Sequence, residues 1–264
     1  MHIDLTGKTA LITGSSQGIG YAIAVGLAAT GATIILNGRT ASKLNAAEAS
    51  LKAAFPKATI RSVAADLSTA EGCDSLAAQA GTVDILVNNT GIFEPKEFFA
   101  TPDEDWTRMF EVNVMSGVRM SRALMPNMLK NNWGRIVFIS SESGLNIPKE
   151  MIHYGFSKTA QLAVSRGLAE LTAGTGVTVN AVLPGPTRSD GVEDFLGAMA
   201  KQEGVSVEDM AKDFVKRHRP TSLIERFATV EEVANMVVYT CSTQSSATNG
   251  AALRVEGGLV RSIV

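Results

Sequence analysis

Tyr154 and Lys158 stand four residues apart in His153-Tyr154-Gly155-Phe156-Ser157-Lys158, and Ser141 precedes the tyrosine by thirteen residues. On a helix, residues i and i+4 project from one face, so a phenol and an ammonium would lie side by side. A phenol of ordinary pKa, about 10, is a poor proton donor or acceptor near neutrality. A neighbouring cation favours the phenolate. At ~4 Å and an effective dielectric of ~20 the attraction is about 4 kcal/mol before desolvation, roughly three pKa units at most. That is enough to bring a phenol into range for proton transfer to a carbonyl or an alkoxide. The same spacing also occurs on amphipathic helices whose lysine is merely solvated, so the surrounding elements must decide.

The first of these elements is the run Thr9-Ala10-Leu11-Ile12-Thr13, short and apolar enough for a strand buried on both faces. It leads into Gly14-Ser15-Ser16-Gln17-Gly18-Ile19-Gly20 and then a helical stretch, Tyr21 to Thr30. In a strand–loop–helix setting, such glycines allow a tight turn and close approach to a pyrophosphate, and the helix start offers free N–H groups. A glycine turn that serves packing alone is the competing interpretation. A second strand, Thr33 to Leu36, ends in Asn37-Gly38-Arg39, and no Asp or Glu occurs between Gly20 and Glu48. An NAD site of this kind usually has an acid there for the ribose hydroxyls. Arg39 instead supplies a planar cation suited to a phosphate, so NADP(H) is predicted over NAD(H); a solvated turn arginine is the alternative.

Apolar residues at helical period mark Ser42 to Phe55, and Thr59 to Ala64 reads as a third strand followed by Asp66-Leu67. Asp66 could edge an adenine ring or simply cap its own loop. Strand four, Val83 to Val87, ends in Asn88-Asn89-Thr90-Gly91, on the edge where open parallel sheets bind ligands. Thr101-Pro102-Asp103-Glu104 has the form of a helix start with Thr101 as N-cap, Pro102 first and Glu104 at N3. One helix or a pair then runs to about Asn131, its methionines assigned to packing. Asn113 is the polar exception there, able to satisfy its amide structurally or by holding a water.

Strand five, Arg135 to Ile139, delivers Ser140 and Ser141; a long helix, about Met151 to Ala173, carries the Tyr-Lys pair; strand six is Val177 to Val182. Pro184-Gly185-Pro186-Thr187 breaks the chain on the ligand edge. Residues 189–219 hold short helical pattern and no strand, either a substrate lid or a rigid helical hairpin. Thr229 to Glu232 is a capping box opening a helix to Cys241, and Ala251 to Val255 is the last strand. With no repeat, low-complexity tract or linker, residues 1–264 are expected to form a single domain.

Several function classes are excluded by the totals. The net charge of −2 contains no basic block for nucleic acid or an anionic membrane. No apolar run approaches the ~20 residues of a membrane span, and Met1 to Asp4 lacks a signal peptide's layout. Cys73 and Cys241 match no metal-ligand spacing, so no metal is expected. A cytoplasmic protein is the expectation.

Together these motifs resemble the short-chain dehydrogenases/reductases, over essentially the whole chain. The resemblance rests on Thr13-Gly14-x-x-x-Gly18-Ile19-Gly20, Asp66, Asn88-Asn89-x-Gly91, Asn113, Ser141, Tyr154-x-x-x-Lys158 and Pro184-Gly185. It implies an α/β fold, a Rossmann-type doubly wound, largely parallel seven-stranded sheet with helices on both faces, and homotetramers packed through the two long helices. It implies Tyr154 as general acid in reduction, Lys158 lowering its pKa and binding the nicotinamide ribose, Ser141 on the substrate oxygen, and Asn113 on a water leading to Lys158. Ser141 is preferred over Ser140 for its spacing to Tyr154. Cofactor contacts are expected from Gly14, Ser16, Gly18, Ile19, Gly20, Arg39, Asp66, Leu67, Asn88, Gly91, Tyr154, Lys158, Pro184, Gly185 and Thr187, with Ser189 a second candidate. Thr90 stands where alanine is usual, and Gln17 where NADP-preferring members often carry a basic residue, leaving Arg39 alone to read the phosphate.

The expected activity is hydride transfer between NADP(H) and a ketone or secondary alcohol, a 3-oxoacyl thioester among the candidates. Glu142, Leu145, Ile147 and Met151 are expected to line the pocket. The competing readings are a NADP-binding redox sensor without turnover, an NAD-dependent alcohol dehydrogenase of the same family, and the epimerase/dehydratase branch. The intact Ser141, Tyr154, Lys158 and Asn113 set argues against the sensor.

Overall fold

The computed structural model describes residues 2–263. Seven parallel strands form one sheet in the order β3-β2-β1-β4-β5-β6-β9. They are β1 (Thr9–Ile12), β2 (Thr33–Gly38), β3 (Ile60–Ala64), β4 (Ile85–Asn88), β5 (Gly134–Ile139), β6 (Val177–Pro184) and β9 (Ala252–Val255). Two-residue strands β7 (Thr187–Arg188) and β8 (Ala228–Thr229) pair separately.

Side chains alternate across the sheet and build two cores. Ile12, Ile34, Leu36, Val87 and Val182 face Ile23 and Leu27 of α1 (Gly18–Ala29) and Val233 and Val237 of α9 (Val230–Cys241). Leu11, Ile35, Leu86, Phe138 and Val179 face Leu76 of α3 (Ala70–Ala80) and Met120, Leu124 and Met128 of α5 (Ser116–Lys130). A strand buried on both faces has no polar side to display, hence the continuous apolar runs. The helix α2 (Ala41–Ala54) adds Leu44 and Leu51 to the first core. The methionines of α5 are core residues, as their spacing suggests.

The predicted helix start at Thr101 is corrected. Thr101 Oγ1 donates to Glu97 O at 2.7 Å, Pro102 is the extended N-cap, and α4 (Asp103–Phe110) begins one residue later without a side-chain cap. Between α4 and α5 the chain widens into one π-helical turn, Glu111–Met115, which holds Asn113. The capping box at Thr229 forms as expected, with Thr229 and Glu232 bonded reciprocally.

Residues 189–219 are a helical hairpin, α7 (Asp190–Glu203) and α8 (Val207–His218). It has a small core of its own, Leu196, Ala200, Met210 and Val215 with Phe227. Strand order reverses at β1, between β2 and β4, so the strand ends around that point open a crevice. The loops after β1 to β6 all lie on that edge.

Candidate active site

The glycine loop is stitched to the neighbouring strand. Asn89 Nδ2 donates to Thr13 O and Gly14 O, both at 2.9 Å. A Cβ on Gly20 would stand 2.5 Å from both Asn89 Nδ2 and Gly14 O, so a side chain there would break this closure. Helix α1 then starts from an extended Gln17 with no side-chain cap and no acid in its first turn. Its exposed amides take an anion from elsewhere: Gly18 N donates to Asp190 Oδ2 at 2.8 Å. This is the free-amide, positive end that a phosphate would use.

Around that helix start lies a cavity of about 380 Å³ lined by Gly14, Ser16, Gly18, Ile19, Gly20, Arg39, Asp66, Leu67 and Gly91. Asp66 does both things open to it: it faces the cavity, and its Oδ1 accepts from Ser68 N at 3.0 Å. Lys43 adds a second cation beside Arg39, donating to Gln17 Oε1 at 3.2 Å. Sequence reasoning missed it, although Lys43 follows Arg39 by four residues across the start of α2, a usable signal. Asn88 is a correction. Its side chain turns into the core, where Nδ2 donates to Ser121 Oγ at 3.2 Å, while Asn89 lines the cavity instead. Strand alternation accounts for this: consecutive residues point to opposite faces.

Through Ile19, Asn89, Gly91 and Ser189 this cavity joins a second one, of about 520 Å³. That volume suits a small molecule. Its walls bring together Ser141 after β5, Tyr154 and Lys158 on one helix, and Pro184, Gly185 and Thr187 at the end of β6 and the start of β7. Glu142 and Met151 line it as expected; Leu145 and Ile147 do not, and are 46% and 44% exposed. Both follow the 3₁₀ turn Glu142–Gly144, and Ile147 lies against Gly155 of the helix that carries Tyr154 rather than in the cavity wall. The hairpin α7–α8 supplies the roof: Phe93 meets Tyr154 and Phe195 edge-on, each with ring centres 6.4 Å apart, and Phe195 meets Phe214 at 6.0 Å.

Ser140 and Ser141 divide their work. Ser140 Oγ donates to Lys158 O at 2.9 Å, a structural bond. Ser141 caps the 3₁₀ turn, accepting from Ser143 N at 3.1 Å, and donates to Glu142 Oε2 at 2.5 Å. Helix α6 (Ile152–Glu170) carries Tyr154 and Lys158 on its inner side.

The expected depression of the Tyr154 pKa is not what the surroundings produce. Burial pushes it well above the ordinary phenol range and the Glu142 charge pushes the same way, against smaller opposing effects of the Ser141 hydroxyl and Arg219. Lys158 exerts no matching pull. It is 4% exposed, and burial pushes its own pKa down to about 7. Its ammonium donates to Ile139 O at 3.0 Å and Gln161 Oε1 at 3.1 Å. Gly91 lies against it: a Cβ there would stand in van der Waals contact with Nζ, at 3.5 Å.

Asn113 is fully buried and its amide is used up within the protein: Nδ2 donates to Ile92 O and Ser157 Oγ, both at 2.9 Å, and Oδ1 accepts from Ile92 N at 2.8 Å. Ser157 in turn donates to Tyr154 O at 2.7 Å, so Asn113 braces the turn of α6 that bears Tyr154. Polar continuity from Lys158 runs through Gln161, whose Nε2 donates to Asn113 O at 2.6 Å. Gln161, three residues after Lys158, was also missed.

An uncapped helix start beside two cations, joined to a cavity with a phenol, a hydroxyl and a buried amine, has the form of a dinucleotide-dependent oxidoreductase site. A short chain dehydrogenase family model matches residues 8–198. The oxidoreductase YvaG of Bacillus subtilis (strain 168) is 50% identical over 263 residues, covering 100% of both chains. The 3-oxoacyl-[acyl-carrier-protein] reductase FabG of Rickettsia bellii is 33% identical, over 98% of this chain and 99% of its own. L-sorbose reductase from Gluconobacter frateurii, solved with NADPH and L-sorbose, superposes with a TM-score of 0.95 at 32% identity over 100% of both chains. The chain belongs to the short-chain dehydrogenase/reductase family. It is an oxidoreductase that acts on alcohol or carbonyl groups with a nicotinamide cofactor.

Proposed function

We propose that this protein is an NADPH-dependent reductase that converts a ketone to a secondary alcohol. One observation carries the reading: Ser141, Tyr154 and Lys158 meet in an apolar, roofed cavity continuous with a phosphate-type cradle that ends in Arg39 and Lys43. The nicotinamide supplies the hydride. Arg39 and Lys43 would hold the 2′-phosphate and Gly18 the pyrophosphate, while Asp66 and Leu67 would edge the adenine. Pro184, Gly185 and Thr187 would flank the nicotinamide, and Lys158 would reach the ribose past Gly91.

Tyr154, held protonated by its surroundings, donates its hydroxyl proton to the substrate oxygen. Ser141 lies beside the same oxygen and supplies a hydrogen bond as charge gathers there. Asn113 fixes the turn carrying Tyr154. The L-sorbose and 3-oxoacyl reductases among the relatives support carbonyl reduction and leave a broad substrate range. Among described residues no helix is long and apolar enough to cross a membrane, and with the absence of a basic block this supports a cytoplasmic enzyme. The 46%-exposed Phe156 on α6 supports packing of a second copy there, within a homotetramer. Residues 1–264 act in this reading as one domain, with α7–α8 as its substrate lid.

The test follows NADPH and NADH consumption against acetoacetyl-CoA, 2,3-butanedione, cyclohexanone and acetophenone. Turnover with NADPH that disappears in Tyr154→Phe is the expected result. Tight NADPH binding with no turnover on any of the four would count against a ketone reductase and favour a sensor.

A further inference from the structure

Glu142, the residue after Ser141, is 3% exposed on the wall of the catalytic cavity. Its carboxylate is held by three donors. Oε2 accepts from Ser141 Oγ at 2.5 Å and from Ser143 Oγ at 2.6 Å, and Oε1 accepts from Arg219 Nε at 2.8 Å. Arg219 immediately follows α8, at the far end of the roof, and is itself buried. Its Nη1 donates to Glu150 Oε1 at 3.0 Å and to His218 O at 2.8 Å. One guanidinium therefore sits between two carboxylates and ties the roof to the residue beside the serine.

A serine hydroxyl has one proton to give. Here it goes to Glu142, so serving a substrate oxygen means surrendering that bond. Two features make the surrender easy. Ser143 stays on Oε2 when Ser141 turns away, and Arg219 draws the carboxylate's charge toward Oε1. Arg219 also offsets a negative charge beside the oxygen on which negative charge develops. We propose that Glu142 and Arg219 are positioning residues of the reaction: Glu142 sets the direction of the Ser141 hydroxyl, and Arg219, brought by the roof, keeps Glu142 from retaining that proton. This rests on the reductase reading above and adds to it the two residues that link the roof to the serine.

The pair carries opposite-signed expectations that a purely structural role does not. Removing Arg219 leaves a buried carboxylate unpaired beside the reacting oxygen, whereas removing the charge of Glu142 as well removes the fault. Wild type, Glu142→Gln, Arg219→Met and the double variant would be compared in full-length form, with NADPH and the carbonyl probe that wild type reduces fastest each varied up to saturation. Amide hydrogen exchange over residues 190–218 would be read in parallel. Arg219→Met should lose roughly a hundredfold in kcat with the KM for NADPH within about twofold, and Glu142→Gln added to it should recover roughly tenfold. Exchange in α8 should quicken in Arg219→Met. A double variant no faster than Arg219→Met would overturn the proposal, and so would a loss confined to KM. If wild type reduces none of the probes, the reductase reading fails, and unchanged α8 exchange in Arg219→Met would separately overturn the tie. Glu142→Gln keeps the side chain's shape but has one acceptor oxygen and one amide NH2 where the carboxylate has two acceptors, so thermal melting of each variant, read beside the kinetics, separates a lost fold from a lost hydroxyl direction.

Discussion

Lys158 Nζ stands 5.6 Å from the centre of the Tyr154 ring, yet its hydrogen bonds run the other way, to Ile139 O and Gln161 Oε1. The spacing of four residues along α6 puts the two on one face, and the burial of that face weakens the cation that was expected to activate the phenol. Burial keeps the proton on Tyr154 until an oxygen gathering negative charge, a stronger base than a carbonyl oxygen, stands beside it.

Tyr154→Phe should therefore retain NADPH binding and lose about 10²–10⁴-fold in turnover, the range expected for a positioned proton donor. Steady-state kinetics with a binding titration in the same buffer check it. Turnover within a few-fold of wild type would remove Tyr154 from the chemistry.

Lys158 also makes stability depend on pH in a stated direction. Its folded pKa is pushed down to about 7 by burial, from an ordinary 10.5. Between those values the unfolded chain binds the proton more often than the folded chain, so stability rises with pH across that window. The slope is at most about 1.4 kcal/mol per pH unit, and below the window the cost is present in full. In Lys158→Met that dependence disappears. Urea unfolding at a series of pH values from 7 to 10 should show wild type gaining on the variant as pH rises. A gap that stays flat or moves the other way contradicts the charge accounting.

Arg39 and Lys43 share one end of the cofactor cradle. Arg39→Ala and Lys43→Ala should each weaken NADPH by roughly tenfold, about 1.4 kcal/mol, with a much smaller effect on NADH. Isothermal titration of both nucleotides against both variants tests this. Equal losses for the two nucleotides would mean that neither cation reads the 2′-phosphate.

Much of this site was legible before any coordinates. The strands that position it are buried on both faces, so their apolar runs stand out, and glycine loop, Ser141, Tyr154 and Lys158 follow such runs at short, fixed distances. What stayed hidden depends on side chains meeting across the fold. Glu142 and Arg219 are 77 residues apart, and nothing local to either names the other. The π-helical turn that carries Asn113 leaves no mark in residue periodicity, and so the bracing of Tyr154 through Ser157 could not be read. Asn88 and Asn89 are chemically identical neighbours, and only the pleat decides which one reaches the cavity.

Asp190 offers a test of how the roof and the cofactor loop are coupled. The first residue of α7 places its carboxylate on Gly18 N at 2.8 Å, at the uncapped start of α1. An amide at a helix N-terminus is where a pyrophosphate would find its best hydrogen bond, and one donor cannot serve two anions well. Binding NADPH then requires Asp190 to yield that amide, and its negative charge opposes the incoming phosphates until it does. Asp190→Ala should tighten NADPH and NADH alike, by roughly threefold to tenfold, because the pyrophosphate is common to both. The helix start also loses its anion in the variant, so the nucleotide-free protein should melt slightly lower while the nucleotide-bound protein should not. Weaker binding of both nucleotides would instead make Asp190 part of the bound state, with its contact to Gly18 retained alongside the cofactor.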